Sequence, residues 1–301
     1  MSNGIGISVA VVAALGAACA FGVGVALQHR QAQLTTTGQT PWRLLAALAR
    51  RRRWLAGIGL AVAAYGLQAL ALAFGPLVLV APIVATDLLF ALPLAAVWAR
   101  KSMRPADWAG CLLAAGGVGI FLASSQPSAG RSDAPAEVWV LAFGLVALIS
   151  AAALVAGRRS GRRAGTASLA VAAGTVFGLT AAVTLSMTRQ LRFNGVISML
   201  TNWQPWVLIC LGIAGLMLSA KAYQAGDLAA SLPIMDTVEP LSGVLLGTLV
   251  LGERLAASPP RLVLQLVAAT AATTGIIVLR RAPSVQAVGH DAAIRQCGDG
   301  R

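Results

Sequence analysis

Charge is what this chain has least of. Only 11% of its 301 residues are charged, against about 25% in a soluble domain. With 57% hydrophobic residues and a mean hydropathy of +0.78, that shortage excludes a soluble globular protein. Histidine is nearly absent, with His29 and His290 far apart. Three of the four cysteines (Cys19, Cys111, Cys210) lie in apolar runs and Cys297 near the end. No CxxC or Cys/His spacing exists, which argues against structural zinc and a disulfide framework. There is no glycine-rich phosphate loop before Lys-Ser/Thr and no nucleophile elbow. The sequence therefore gives no sign of a motor ATPase, an enzyme or a resident cofactor. The net charge of +13 would suit nucleic acid, but the basic residues form short clusters between apolar spans, the pattern of a membrane protein.

What is present is apolar length. About 20 apolar residues cross a bilayer, and that rule predicts nine transmembrane helices: Ile5–Leu27, Trp54–Phe74, Leu77–Ala99, Ala106–Ser124, Val138–Ala156, Ala167–Met187, Trp206–Tyr223, Leu228–Leu251 and Leu262–Leu279. The first lacks a basic start and is too long for a signal-peptide core, so it reads as a retained helix. Alternate sides carry 17 and 5 Lys or Arg, with Lys221 inside a span. The positive-inside rule then puts the C-terminus in the cytoplasm and the N-terminus outside, with the plasma membrane as the expected location. Trp54, Trp98, Trp108, Trp139 and Trp206 fall near span ends, as interfacial anchors.

The eighth span holds the least expected residues. Asp236 and Glu239 share a helix face three residues apart, and Gly243 and Gly247 continue it. A carboxylate at mid-membrane costs roughly 2.5–3.5 kcal/mol on insertion scales, so both should face protein or a wet cavity. They line a pathway or, in the plainer alternative, staple helices together. Adding 151 to the numbering lays the third span over the eighth: Gly75, Leu77, Pro82, Ile83, Thr86 and Leu94 match Gly226, Leu228, Pro233, Ile234, Thr237 and Leu245. The two spans run in opposite directions by the charge count. This gives an all-α polytopic membrane protein of two inverted four-helix repeats, 1–124 and 166–281. A loop and connecting helix over 125–165 join them, and a disordered tail covers 282–301. In that overlay Asp87 falls on Val238, one residue before Glu239, so both halves carry carboxylates at similar depth.

Pro82, Pro93, Pro233 and Pro240 should interrupt the same two spans and free carbonyls for a cation or a proton-carrying water, or else mark packing kinks. Gln68 and Gln224 are further pathway candidates. Lys221 either snorkels to the interface or pairs with Asp227 or Asp236. Gln28 and His29 close the first span, His29 as an interfacial residue. Thr175, Thr180 and Thr184 define a face only loosely and suit bonds to their own helix. Inverted repeats with midplane sites are typical of secondary transporters.

Several stretches then resemble the drug/metabolite transporter (EamA-like) superfamily: GLQALALAFGPLVLVAPIVATDLLFALPLA at 66–95, KAYQAGDLAASLPIMDTVEPLSGVLLGTLVLGE at 221–253, and Leu251-Gly252-Glu253-Arg254-Leu255 before a last apolar helix. The nine-span layout is most similar to the NIPA-type branch. The first half departs from the pattern, closing in Ala99-Arg100-Lys101-Ser102-Met103 without Gly-Glu. The resemblance implies transport of Mg2+ or another divalent cation, with Asp87, Asp236 and Glu239 as its oxygen donors. A proton-coupled exporter of a small organic metabolite is the alternative, and a non-transporting scaffold the second. The lipid bilayer and a small-molecule or ion substrate are the expected partners, and glycine-rich faces also permit a homodimer.

Overall fold

The structure, a computed structural model, describes residues 2–35, 40–74, 77–100, 102–125, 134–159, 162–252 and 259–281. The Gly75-Pro76 turn, the Glu253-Arg254-Leu255 motif, most of the 125–136 loop and the 282–301 tail lie outside these residues. Eleven helices follow one another: α1 (Ser2–Gln33), α2 (Pro41–Ala49), α3 (Arg52–Phe74), α4 (Leu77–Val84), α5 (Leu88–Trp98), α6 (Pro105–Ser125), α7 (Ala136–Arg159), α8 (Arg162–Thr201), α9 (Gln204–Ala225), α10 (Leu228–Leu251) and α11 (Pro259–Arg281). A 3-10 turn, Ala85–Asp87, joins α4 to α5. No strand occurs among the described residues. Eight of the helices are long and apolar enough to cross a membrane, as in an integral membrane protein. In hydrocarbon a spanning segment must satisfy its own backbone, and the helix does so.

The eight correspond to eight of the expected spans. The third, Leu77–Ala99, is instead broken by the 3-10 turn, five residues after the first of its prolines (Pro82 to Asp87). The second-half prolines do not interrupt: α10 continues through Pro233 and Pro240, and α5 through Pro93. α10 lacks two amide donors and α5 one, and both remain helical. α1 runs on past Leu27 to Gln33, and α8 past Met187 to Thr201. The link after α1 folds into α2, whose nine residues rise only about 14 Å. The glycine at the end of α10, Gly252, takes the left-handed conformation (φ 64°) that commonly closes a helix.

The largest core joins both halves of the chain. Ala26 of α1, Leu88 and Ala91 of α5, and Cys111 and Ala114 of α6 pack with Ala170 of α8, Tyr223 of α9, and Leu232 and Met235 of α10. Its alanine content lets helix axes approach closely, which drives association where lipid competes for every apolar surface. A second core, around Val146, Leu179, Val183 and Leu246, ties α7 to α8 and α10.

The closest crossings are made at glycines. A Cβ at Gly117 would meet the Ala272 nitrogen at 2.5 Å and the Ala268 oxygen at 2.6 Å. One at Gly275 would strike the Ala114 nitrogen and meet the Gly110 oxygen at 2.7 Å. The α6–α11 contact is thus self-complementary: adding 158 carries Gly117, Ala114 and Gly110 onto Gly275, Ala272 and Ala268. Gly116, one residue away, has nothing within 4 Å. Gly117→Leu is therefore expected to cost at least the roughly 1–3 kcal/mol typical of overpacking and to lower the melting temperature in detergent. Gly116→Leu should leave it unchanged. Thermal unfolding of the two variants checks this.

Candidate functional site

Asp87, the cap of α5, and Glu239 of α10 are placed by two glycine crossings. On α1, a Cβ at Gly22 would meet the Asp87 oxygen at 2.5 Å, the Phe90 Cβ at 2.8 Å and the Ala91 nitrogen at 2.9 Å. On α8, one at Gly178 would strike the Ser242 Cβ and meet the Glu239 oxygen at 2.8 Å and the Gly243 nitrogen at 2.9 Å. Residues 87, 90 and 91 stand to α1 as 239, 242 and 243 stand to α8, a constant difference of 152. The register therefore sets Asp87 against Glu239 itself, one residue from the overlay of 151 that put it on Val238. Gly174 extends the α8 contact to Met235 and Val238. A Cβ at Gly243 would itself meet only Ala181 and Gly178 at the ordinary distances of 3.7 and 3.8 Å, so the close approach expected there is made by Gly178.

The missing residue is absorbed by the 3-10 turn. Pro82 to Asp87 is five steps, whereas Pro233 to Glu239 is six. Six α-helical steps rise about 9 Å. Two such steps and three 3-10 steps of about 2.0 Å also rise about 9 Å. The longer rise of the turn thus offsets the one residue fewer along the helix axis.

The three carboxyls lie within electrostatic range of one another, Glu239 acting on Asp87 and both acting on Asp236. Asp87 Oδ1 accepts from the Leu88 amide at 2.8 Å, at the start of α5. Asp236 Oδ2 is buried with no hydrogen-bond partner. Pro240, four residues on, has no N–H to give the Asp236 carbonyl. Asp236 thus offers an unpaired carboxylate oxygen and a carbonyl without its helical donor. Among the described residues no three His, Cys, Asp or Glu side chains stand as a group able to hold a metal ion. The carboxyls form a shared electrostatic cluster and not a closed coordination shell.

Two tyrosines join the cluster. Tyr223 of α9 lies within electrostatic range of all three carboxyls, and Tyr65 of α3 within range of Glu239. Sequence reasoning passed over both, because aromatic residues were weighed only as interfacial anchors. Tyr65 stands three residues before Gln68, on the same side of α3, and that spacing is the signal the sequence offers. Gln68 itself is half-buried on α3, and Lys221 half-buried on α9. Pro82 packs under α6, where a Cβ at Gly119 would meet its Cα at 2.7 Å, and Pro233 is buried in α10. Thr175, Thr180 and Thr184 donate to the carbonyls four residues back, as a helix's own bonds.

Gln224 and His29 serve elsewhere than expected. Gln224 donates to the Thr35 carbonyl at 3.1 Å, holding the segment after α1. His29 is buried in protein, with Nε2 3.2 Å from the Gly226 oxygen and its ring edge-on to Tyr223. Gln33, one turn on, donates to the Tyr223 carbonyl at 2.6 Å and the Gly226 carbonyl at 2.8 Å. The end of α1 therefore clamps the turn between α9 and α10, six residues before the Pro233 step and next to the tyrosine of the cluster.

No family model matches the chain, and no solved structure does. Over 251 residues, however, it is 30% identical to a protein of Corynebacterium glutamicum described as uncharacterized, covering 81% of this chain and 85% of that one. The chain belongs to that protein's family. The shared length spans most of the helices that build the cluster.

Gln33→Ala removes the amide from two carbonyls at the head of α10. Leaving a buried acceptor without its donor costs about 1–3 kcal/mol. Amides 225–228 should then exchange hydrogen faster than in the wild type, while those of α11 keep their rates. Hydrogen-exchange mass spectrometry reads both.

Proposed function

We propose that the chain is a secondary transporter built from two inverted four-helix repeats, with α7 connecting them and α4, the 3-10 turn and α5 together making a ninth crossing. The observation that carries this reading is the pairing of Asp87 with Glu239. Each sits at the point where the first long helix of its half presses on the broken or proline-bearing helix, with the same three-residue footprint. The self-complementary α6–α11 crossing supports the same two-fold relation. Membrane sites of this kind lie where the repeats meet. The resemblance to drug/metabolite transporters points the same way, with the basic ends of the helices cytoplasmic and the plasma membrane as location.

The cargo favoured by the cluster is a small cation. Three buried carboxyls within electrostatic range of one another favour the entry of positive charge among them. Mg2+ or another divalent cation, entering with part of its water shell, is the substrate implied by the NIPA-type resemblance. Proton exchange for an organic solute is the second reading. It is favoured by the want of a closed three-ligand group and by the commitment of one Asp87 oxygen to the Leu88 amide.

Proteoliposomes holding a magnesium-sensitive dye separate these readings. The wild type is expected to admit Mg2+, and Glu239→Gln and Asp87→Asn each to fall to the protein-free background while still reconstituting. Flux that needs a pH gradient and no divalent ion would favour the proton-coupled reading. Full flux in both variants would remove the cluster from the pathway.

A further inference from the structure

α2 is too short to cross the membrane, yet it is held firmly. Leu44 and Leu48, one turn apart, are buried against Ala220 of α9 and Trp54 of α3. The chain after it is fixed by Arg51, whose guanidinium donates to Gln31 Oε1 at 3.3 Å and to the Leu34 carbonyl at 3.0 Å. Its neighbours in sequence do the opposite. Arg43, Arg50, Arg52 and Arg53 are exposed, and so is Trp42, at 65%.

Among the described residues, the helices packed on α2 offer these four guanidiniums no acidic partner. The first acidic residue of the chain is Asp87, so α1, α2 and α3 contain none. α9, the other helix packed on α2, has no Asp or Glu either and adds Lys221. Among the described residues, the charge on this element is therefore left for an external anion. The place fixes what that is: α2 lies between two membrane-spanning helices, α1 and α3. A tryptophan beside an amphipathic helix is the usual marker of the headgroup level. Guanidinium groups bind phosphate in a planar, two-pronged fashion.

We propose that α2 and the following arginines form a binding site for anionic phospholipid headgroups, with Arg43, Arg50, Arg52 and Arg53 on the phosphates and Trp42 at the hydrocarbon boundary. Arg51 is a positioning residue, tying the site to the end of α1. This site is separate from the carboxyl cluster and does not depend on what the chain transports.

Native mass spectrometry of the full chain, released from micelles with equal phosphatidylglycerol and phosphatidylcholine, tests it. The wild type is expected to retain phosphatidylglycerol in preference. An arginine near an anionic surface is worth about 1 kcal/mol, so Arg43→Gln or Arg50→Gln alone should cut that preference about fivefold. R43Q/R50Q/R52Q/R53Q should hold both lipids equally. Arg158→Gln with Arg159→Gln, exposed at the end of α7, should leave the preference intact. A wild type without preference, a quadruple variant that keeps it, or an equal loss in the α7 variant would overturn the proposal. The single variants and Trp42→Ala carry the test if the quadruple variant does not fold.

Discussion

The structure depends on helix backbones touching. Lipid gives apolar side chains no reason to prefer protein, so spanning helices associate through close packing. Here that closeness is concentrated at a few glycines: Gly22 on the first turn of α5, Gly174 and Gly178 on the middle of α10, Gly117 and Gly275 across α6 and α11. The first three set the depth of Asp87, Asp236 and Glu239. A larger residue at any of them would push the acidic helices away from their neighbours, and the cluster would open without any acid being touched. Placement of the charges is thus a packing property before it is an electrostatic one.

The same constraint explains which features could be read from the chain alone. Apolar runs of about 20 residues are forced into helices by the bilayer, so eight helices follow from hydropathy. α2 does not, since nine residues with buried Leu44 and Leu48 leave no such run. The 3-10 turn is equally invisible, because Ala85, Thr86 and Asp87 differ from an α-helical stretch only in rise per residue. That hidden difference separates the overlay of 151 built on the matching prolines from the offset of 152 in the glycine contacts. The partners of Gln33 and His29 were out of reach for a different reason. Their acceptors are backbone carbonyls about 190 residues away, and a carbonyl leaves no mark on the sequence.

The roles of prolines and glutamines show how a residue type underdetermines its use. Pro82, Pro233 and Pro240 all lack a donor, yet only the first half breaks. α4 ends beside Gly119 of α6, which lies against the Pro82 backbone, and the chain turns there. α10 is gripped along its length by α8 and absorbs two prolines without turning. Of the glutamines, Gln33 and Gln224 both serve as latches on carbonyls, whereas Gln68 shares a face with Tyr65 in the cluster.

Under the proposed repeat, the two halves are alike in packing and unlike in charge. The first-half counterpart of Asp236 is Val84 or Ala85, according to the register, and neither can bear charge. The second half therefore brings two carboxyls and the first brings one. A site with perfect two-fold symmetry would present the same face to both sides of the membrane. The additional Asp236, with its unpartnered oxygen and the carbonyl that Pro240 leaves without a donor, makes the α10 side the stronger attractor for positive charge. The clamp of His29 and Gln33 acts on that same helix, at its head. The helix that carries more of the charge is thus also the one whose end is tied to α1.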